Sequence, residues 1–270
     1  MSRWVPYAPG VAVLVDVQFN PGRLAWAELR ELALAAEAGG YGAIWTFDHL
    51  AGRSLRGTSM LEAFTLLGAL AVTTSTIELG TMVANVQNRT PALLAVAAAT
   101  VEAIGERTVH LGLGAGSSPD SRFSAEMRAI GQPIPPTLEA RHARLLEALD
   151  VLDRMYDPDR PAELATFPLP RRRPTVLLGV NSQRLAELAG RRAEGINVRW
   201  DDPRRDELLT SAVAARGRRE GFVLTTYTTW APHLLDAGHP DRVEMDALGL
   251  DRLVLVVPAG VSAEQLAQRV

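Results

Sequence analysis

Three short stretches hold residues whose types and spacing suit chemistry. The first is Asp48-His49, directly after the apolar run Ala43 to Phe47. An imidazole beside a carboxylate can exchange protons near neutral pH, although a histidine bonded to a neighbouring carbonyl would look the same in sequence. The second is Gly112-x-Gly114-x-Gly116 followed by Ser117. Side-chain-free positions let backbone approach a flat or phosphorylated ligand, and they also close tight strand–helix turns. The third is Gly179-Val180-Asn181-Ser182, just before a helical pattern over Gln183 to Arg192. Free N–H groups at a helix start can hold a phosphate, and a Ser there also serves as an ordinary cap.

Other polar residues carry less. His110 lies inside a strand pattern and reads as packed, and His142 falls on an amphipathic helix. His233 and His239 show no acidic partner at metal spacing, so no metal centre is expected. Arg171-Arg172-Arg173 and Arg216-x-Arg218-Arg219 read as solvated surface. No G-x-S-x-G elbow and no paired-carboxylate motif is present.

The elements that must position these residues alternate strand and helix. Strand patterns cover Val11 to Phe19, Ala43 to Phe47, Ile77 to Val83, Thr108 to Leu113, Thr175 to Gly179, Gly195 to Trp200, Phe222 to Trp230 and Leu253 to Val257. Helical spacing of Leu29, Leu32, Ala33, Ala36 and Ala38 precedes the second strand, and Gly39-Gly40 ends that helix. Further helices are expected over Leu61 to Ala71, Pro91 to Ile104 with Thr90 as cap, and Leu138 to Met155. Eight such units imply a closed (β/α)8 TIM barrel, an α/β fold, with an open doubly wound sheet as the alternative. No boundary divides residues 1–270, so one domain is expected, with an irregular insertion around 117–174. The polar and glycine-rich tips all follow their strands, which predicts one pocket at the C-terminal face of the barrel.

Composition narrows the function. The 270 residues include no cysteine, and all 28 basic residues are arginine. That excludes thiolate nucleophiles, disulfides and lysine Schiff bases. A net charge of −3 gives no electrostatic case for nucleic acid or an anionic membrane. No apolar run reaches the length of a membrane span, and Met1 to Pro6 lacks a signal-peptide core. A cytoplasmic protein acting on a small molecule is the expectation.

Several stretches, in order, resemble the luciferase-like flavin monooxygenase superfamily. Ala35-Ala36-Glu37-Ala38-Gly39-Gly40-Tyr41 through Trp45-Thr46-Phe47-Asp48-His49-Leu50 is similar to its opening signature. Leu61 to Leu67 with Ile77 to Val83, Arg89 to Ala95, and Gly105-Glu106-Arg107 through Gly116 continue the series, and Ala193-Glu194-Gly195 resembles its Ala-Asp-Gly. The resemblance implies a barrel that binds coenzyme F420 or FMN at its C-terminal face. Asp-His after the second strand favours the deazaflavin branch, with His49 as the acid/base and Asp48 orienting it or bonding the ring edge. It also implies a non-proline cis peptide near Met82-Val83, behind the ring. Met82, Val83 and Asn85 would back the ring, with Gly114, Gly116 and Ser117 along the ring and its ribityl chain. Gly179, Val180, Asn181 and Ser182 would hold the phosphate. Trp200 and Trp230 are expected either to wall the substrate or simply to pack the rim. Some deazaflavin members carry Glu where this chain has Ser117, so a carboxylate is missing from the implied site. The expected activity is hydride transfer between F420 and a small organic substrate. The alternatives are an FMN-dependent monooxygenase using oxygen and a flavin-binding relative without catalysis. Family habit implies a homodimer, for which the helices Leu61 to Ala71 and Pro91 to Ile104 offer apolar faces.

Overall fold

The computed structural model describes residues 12–268. Met1 to Pro6 and the first residue expected in a strand, Val11, lie outside them. Eight parallel strands close on themselves in sequence order: β1 (Leu14–Phe19), β2 (Ala43–Thr46), β3 (Glu78–Asn85), β4 (Val109–Gly114), β5 (Thr175–Gly179), β6 (Gly195–Arg199), β7 (Val223–Thr229) and β8 (Arg252–Val256), the last pairing with β1. Helices cover the outside: α1 (Trp26–Gly39), α2 (Ala63–Thr73), α3 (Pro91–Gly105), α4 (Ala125–Ala129), α5 (Leu138–Met155), α6 (Gln183–Arg192), α7 (Arg205–Arg216), α8 (Pro240–Ala247) and α9 (Ala263–Leu266). The barrel is the expected fold, and the open-sheet alternative falls.

Local chemistry sets the element ends. Gly40 terminates α1 in the left-handed region at φ 85°, where an L side chain would be strained. Thr90 caps α3 by accepting the Leu93 N–H, and Pro91 opens the helix without a donor to lose. The third strand runs two residues past its expected end, to Asn85. Its Met82–Val83 peptide is cis, and its register against β4 shifts between Thr81 and Ala84.

The barrel interior is filled by large side chains laid over glycines. The ring of Trp45 lies where a Gly80 Cβ would be, 2.8 Å from it, and Leu177 occupies the corresponding space at Gly195, 2.3 Å away. Ala43, Trp45, Met82, Leu177 and Val254 form this inner layer. Below it sits an ionic network. Arg252 donates to both carboxylate oxygens of Asp16 and pairs with Glu78, and His110 bonds Glu78 and stacks on Trp45. His110 is packed, as its mid-strand position suggested. Motif residues at this N-terminal end have structural partners. Glu37 accepts the N–H groups of Ser75, Thr76 and Ile77, and Arg107 donates to Ala71, Thr74 and Ile77.

Burial works to raise the Glu78 carboxyl, but the His110 bond and Arg252 outweigh it and bring it from an ordinary 4.5 to about 2. A carboxyl depressed on folding contributes stability above its unfolded pKa, and that stability disappears as pH falls through the folded value. Glu78→Gln should therefore lower the unfolding free energy in urea at pH 7 by at most about 3 kcal/mol. The gap between variant and parent should narrow from pH 5 downward. A gap independent of pH would sink this account.

Candidate active site

At the C-terminal end of the barrel a cavity of about 570 Å³ opens, lined by the tips of β2 to β5 and by the first turns of α5 and α6. Its floor includes Gln18, Met82, Asn197 and Tyr227. Val83 stands between two bare strand tips. A Cβ at Gly114 would fall 2.6 Å from one of its methyls, and one at Gly179 would fall 2.8 Å from the other. The result is a shallow apolar surface built from three strands. Gly116 turns the chain away at φ 79°, where a Cβ would strike the Gln87 amide.

Asp48 and His49 part company in the fold. Both Asp48 oxygens accept from Arg89, at 2.7 and 2.8 Å, and one also accepts the Asn85 N–H at 2.8 Å. Asp48 therefore ties β2 to the end of β3 and does not bond His49. The expectation that it orients the imidazole is corrected: its lone pairs are committed to another partner.

His49 has a different carboxylate. Its Nδ1 lies 2.9 Å from Glu126 on α4, and the second Glu126 oxygen accepts the Ala51 N–H at 3.0 Å. The Glu126 side chain is 2% exposed and that of His49 18%. Burial works to raise the Glu126 carboxyl, but the His49 bond and the amides of Ala51 and Leu50 hold it below its usual value. An ionised Glu126 only accepts, so the proton sits on Nδ1 of His49, and Nε2 has no protein partner among the described residues. Phe123 packs beside the ring at 5.9 Å. The loop carrying Glu126 braces itself: Ser124 Oγ donates to the Ser118 carbonyl, and Ser54 Oγ from the β2 side donates to that of Arg122.

Sequence reading missed Glu126 because it lies 77 residues from His49 in a segment read as irregular. Its one local signal is the Ser121-Arg122-Phe123-Ser124 turn, with Ser121 accepting the Phe123 N–H, which starts a short helix there. The carboxylate absent at Ser117 is thus supplied from further along the same loop.

Arg141 and His142, on the first turns of α5, also line the cavity. Both are buried, at 9% and 3% exposure. Neither nitrogen of His142 has a hydrogen-bond partner, and the Arg141 guanidinium has none among the described residues. Burial, with Arg184 and Arg141 nearby, holds the His142 pKa below its usual value. The helical periodicity that placed His142 on α5 says nothing about which end of the helix meets a cavity. Gly179, Val180 and Asn181 face the same space, whereas Ser182 caps α6 by accepting the Leu185 N–H.

Trp200 and Trp230 do not line the cavity. Trp230 is buried and donates to the Tyr41 hydroxyl at 3.1 Å, and Trp200 lies under the Arg205 guanidinium at 3.8 Å. Of the two expectations for them, the rim-packing one holds. The remaining expected residues, Met82, Asn85, Gly114, Gly116 and Ser117, are gathered at the cavity.

The ion pair of Asp48 and Arg89 is almost fully buried, at 0% and 8% side-chain exposure. Removing Asp48 leaves the buried Arg89 with only the partly exposed Glu62, 3.0 Å away, as counter-charge. Asp48→Ala should lower the unfolding free energy by about 3–5 kcal/mol, read from denaturant midpoints. A loss below about 1 kcal/mol would mean that Glu62 and solvent suffice as partners for Arg89.

Comparison with known proteins agrees with this architecture. Residues 10–233 match the luciferase-like monooxygenase family. The chain is 26% identical over 247 residues to an F420-dependent glucose-6-phosphate dehydrogenase of Segniliparus rotundus, covering 88% of this chain and 64% of that protein. It is 28% identical over 233 residues to an F420-dependent hydroxymycolic acid dehydrogenase of Mycobacterium tuberculosis, covering 82% and 61%. The chain thus spans a little under two thirds of these two relatives' lengths. Among solved structures, an F420-dependent secondary alcohol dehydrogenase with an F420–acetone adduct superposes with a TM-score of 0.75 at 14% identity, over 95% of this chain and 97% of that one. That likeness is one of fold. From the match over most of its length, this chain belongs to the luciferase-like monooxygenase family.

Proposed function

We propose that this chain is an oxidoreductase that moves a hydride between coenzyme F420 and a small organic substrate, with His49 Nε2 as the atom that exchanges the substrate proton. The carrying observation is the His49–Glu126 pair at the cavity wall, which turns Nδ1 to a carboxylate and leaves Nε2 unpartnered. The F420-dependent dehydrogenases among its relatives support the same choice of coenzyme.

The cavity fits such a coenzyme on two counts. Val83, between the bare tips of Gly114 and Gly179, suits a flat ring system, with Met82 beneath. Arg141 and the buried, unpartnered nitrogens of His142, beside Asn181 and the start of α6, suit a phosphate. Asn85, Gly116 and Ser117 would line the stretch between. When bound, the deazaflavin supplies the ring carbon that gives or takes the hydride.

The chain's own residues handle the proton. As an alcohol carbon loses its hydride, Nε2 of His49 accepts the hydroxyl proton. In the reverse direction the same atom returns it to the forming alkoxide. Glu126 stabilises the imidazolium through Nδ1 and keeps the ring from turning. Asp48 acts at one remove, holding the β3 tip against the β2 tip.

The reading extends to a cytoplasmic homodimer. Among the described residues no helix is long and apolar enough to cross a membrane. The outer faces of α2 and α3 form a groove lined by Phe64, Leu93, Ala97 and Ile104, and Leu93 is 54% exposed. A second copy of this face suits it by self-complementarity.

Fluorescence titration should show F420 binding at least about ten-fold tighter than FMN. His49→Ala should lower turnover about 10²-fold or more with coenzyme affinity nearly unchanged, and Glu126→Ala should lower it less. A preference for FMN would move the reading to oxygen chemistry, and binding of neither would remove the coenzyme. Light scattering should give a dimer that Leu93→Asp converts to monomer; a monomeric parent would dispose of the interface.

A further inference from the structure

A second group of titratable side chains lies on the same end of the barrel but outside the cavity. After β7 the chain forms a 3-10 turn over Pro232–Leu235 and then enters α8 at Pro240. This brings His233, His239 and Asp241 together, each offering a ligand atom within 4.8 Å of the others. The two imidazole rings lie 4.4 Å apart, and His239 Nδ1 is 3.8 Å from an Asp241 carboxylate oxygen. The spacing His-x5-His-x-Asp therefore does supply the acidic partner that the sequence seemed to lack.

We infer that His233, His239 and Asp241 form a binding site for a divalent transition-metal ion of the zinc class. Two imidazoles and one carboxylate are a donor set that zinc accepts, leaving a fourth position for water. Ligand atoms around tetrahedral zinc sit about 3.3 Å apart, so small rotations of exposed rings close the set. The backbone beneath is already held. Asp236 accepts the Gly238 N–H through its side chain at 2.8 Å and the His239 N–H through its carbonyl at 3.0 Å. The buried Arg242 of α8 donates to the Leu234 carbonyl at 2.8 Å and to Val13 at 3.0 Å, fixing the helix against the turn that carries His233.

Charge favours a cation as well. Asp236 and Asp241 form no ion pair with an arginine among the described residues, and the basic groups beside Asp241 are the two imidazoles themselves. None of the three ligands lines the large cavity, so the ion clips the β7 loop to α8 and takes no part in hydride transfer.

The test is calorimetric titration of the untagged, chelator-stripped full-length protein with zinc chloride. One ion per chain is expected. His233→Ala and His239→Asn should each weaken binding at least ten-fold; Asn keeps the α8 cap that His239 Nδ1 makes by accepting the Asp241 N–H at 3.3 Å, which leaves Nε2 for the ion. Zinc should raise the melting temperature of the parent but not of His233→Ala, whose metal-free melting should match the parent's. Absence of zinc uptake by the parent, or equal uptake by His233→Ala, would overturn the site.

Discussion

A single buried carboxylate, that of Asp48, holds the working end of this barrel in register. Its two oxygens receive three N–H groups, two from Arg89 and one from the Asn85 amide. The β2 tip and the β3 tip cannot move apart without unpairing a buried ion. His49, the next residue, is thereby presented to the cavity, and Val83, two residues before Asn85, is held across the bare tips of β4 and β5. Apolar floor and imidazole are thus referenced to one another through this one carboxylate. The Asp-His dipeptide divides its labour, one side chain fixing the frame and the other facing the cavity.

The two ends of the barrel spend charge differently. At the N-terminal end Asp16, Arg252, Glu78 and His110 bind one another, and Glu37 and Arg107 satisfy loop amides and carbonyls. At the C-terminal end both nitrogens of His142 and the amide nitrogen of Asn197 are buried without a partner among the described residues. Buried donors without acceptors are destabilising in a ligand-free fold and become favourable when a ligand supplies the acceptors. Stability is concentrated at one face and binding capacity at the other, the division expected of parallel barrels.

How much of this was legible in the sequence follows from the range of the interactions concerned. The eight strands and the capped helices rest on local patterning, and their ends shifted by a residue or two as fraying and hydrogen bonding decide them. His49 and the glycine tips were legible because ligand-facing residues follow their strands in this architecture. Glu126 was not, since nothing within its own segment shows that a turn in a long loop reaches the β2 tip. Arg141 and His142 were hidden for the reason that a helical period repeats along the whole of α5 while the cavity meets only its first turns. Trp200 and Trp230 drew attention as large side chains at strand ends. Their neighbours Arg205 and Tyr41 lie on the outer layer and draw them there.

The His49–Glu126 pair is assembled from two loops that belong to different strands. His49 rides on the β2 connection and Glu126 on the β4 connection, with Ser54 bonded to Arg122 beside them. Displacing the β4 loop far enough to enlarge the entrance also pulls Glu126 from His49. Access and competence are then alternatives: an open entrance comes with an unsupported imidazole, and a supported imidazole comes with a narrowed entrance.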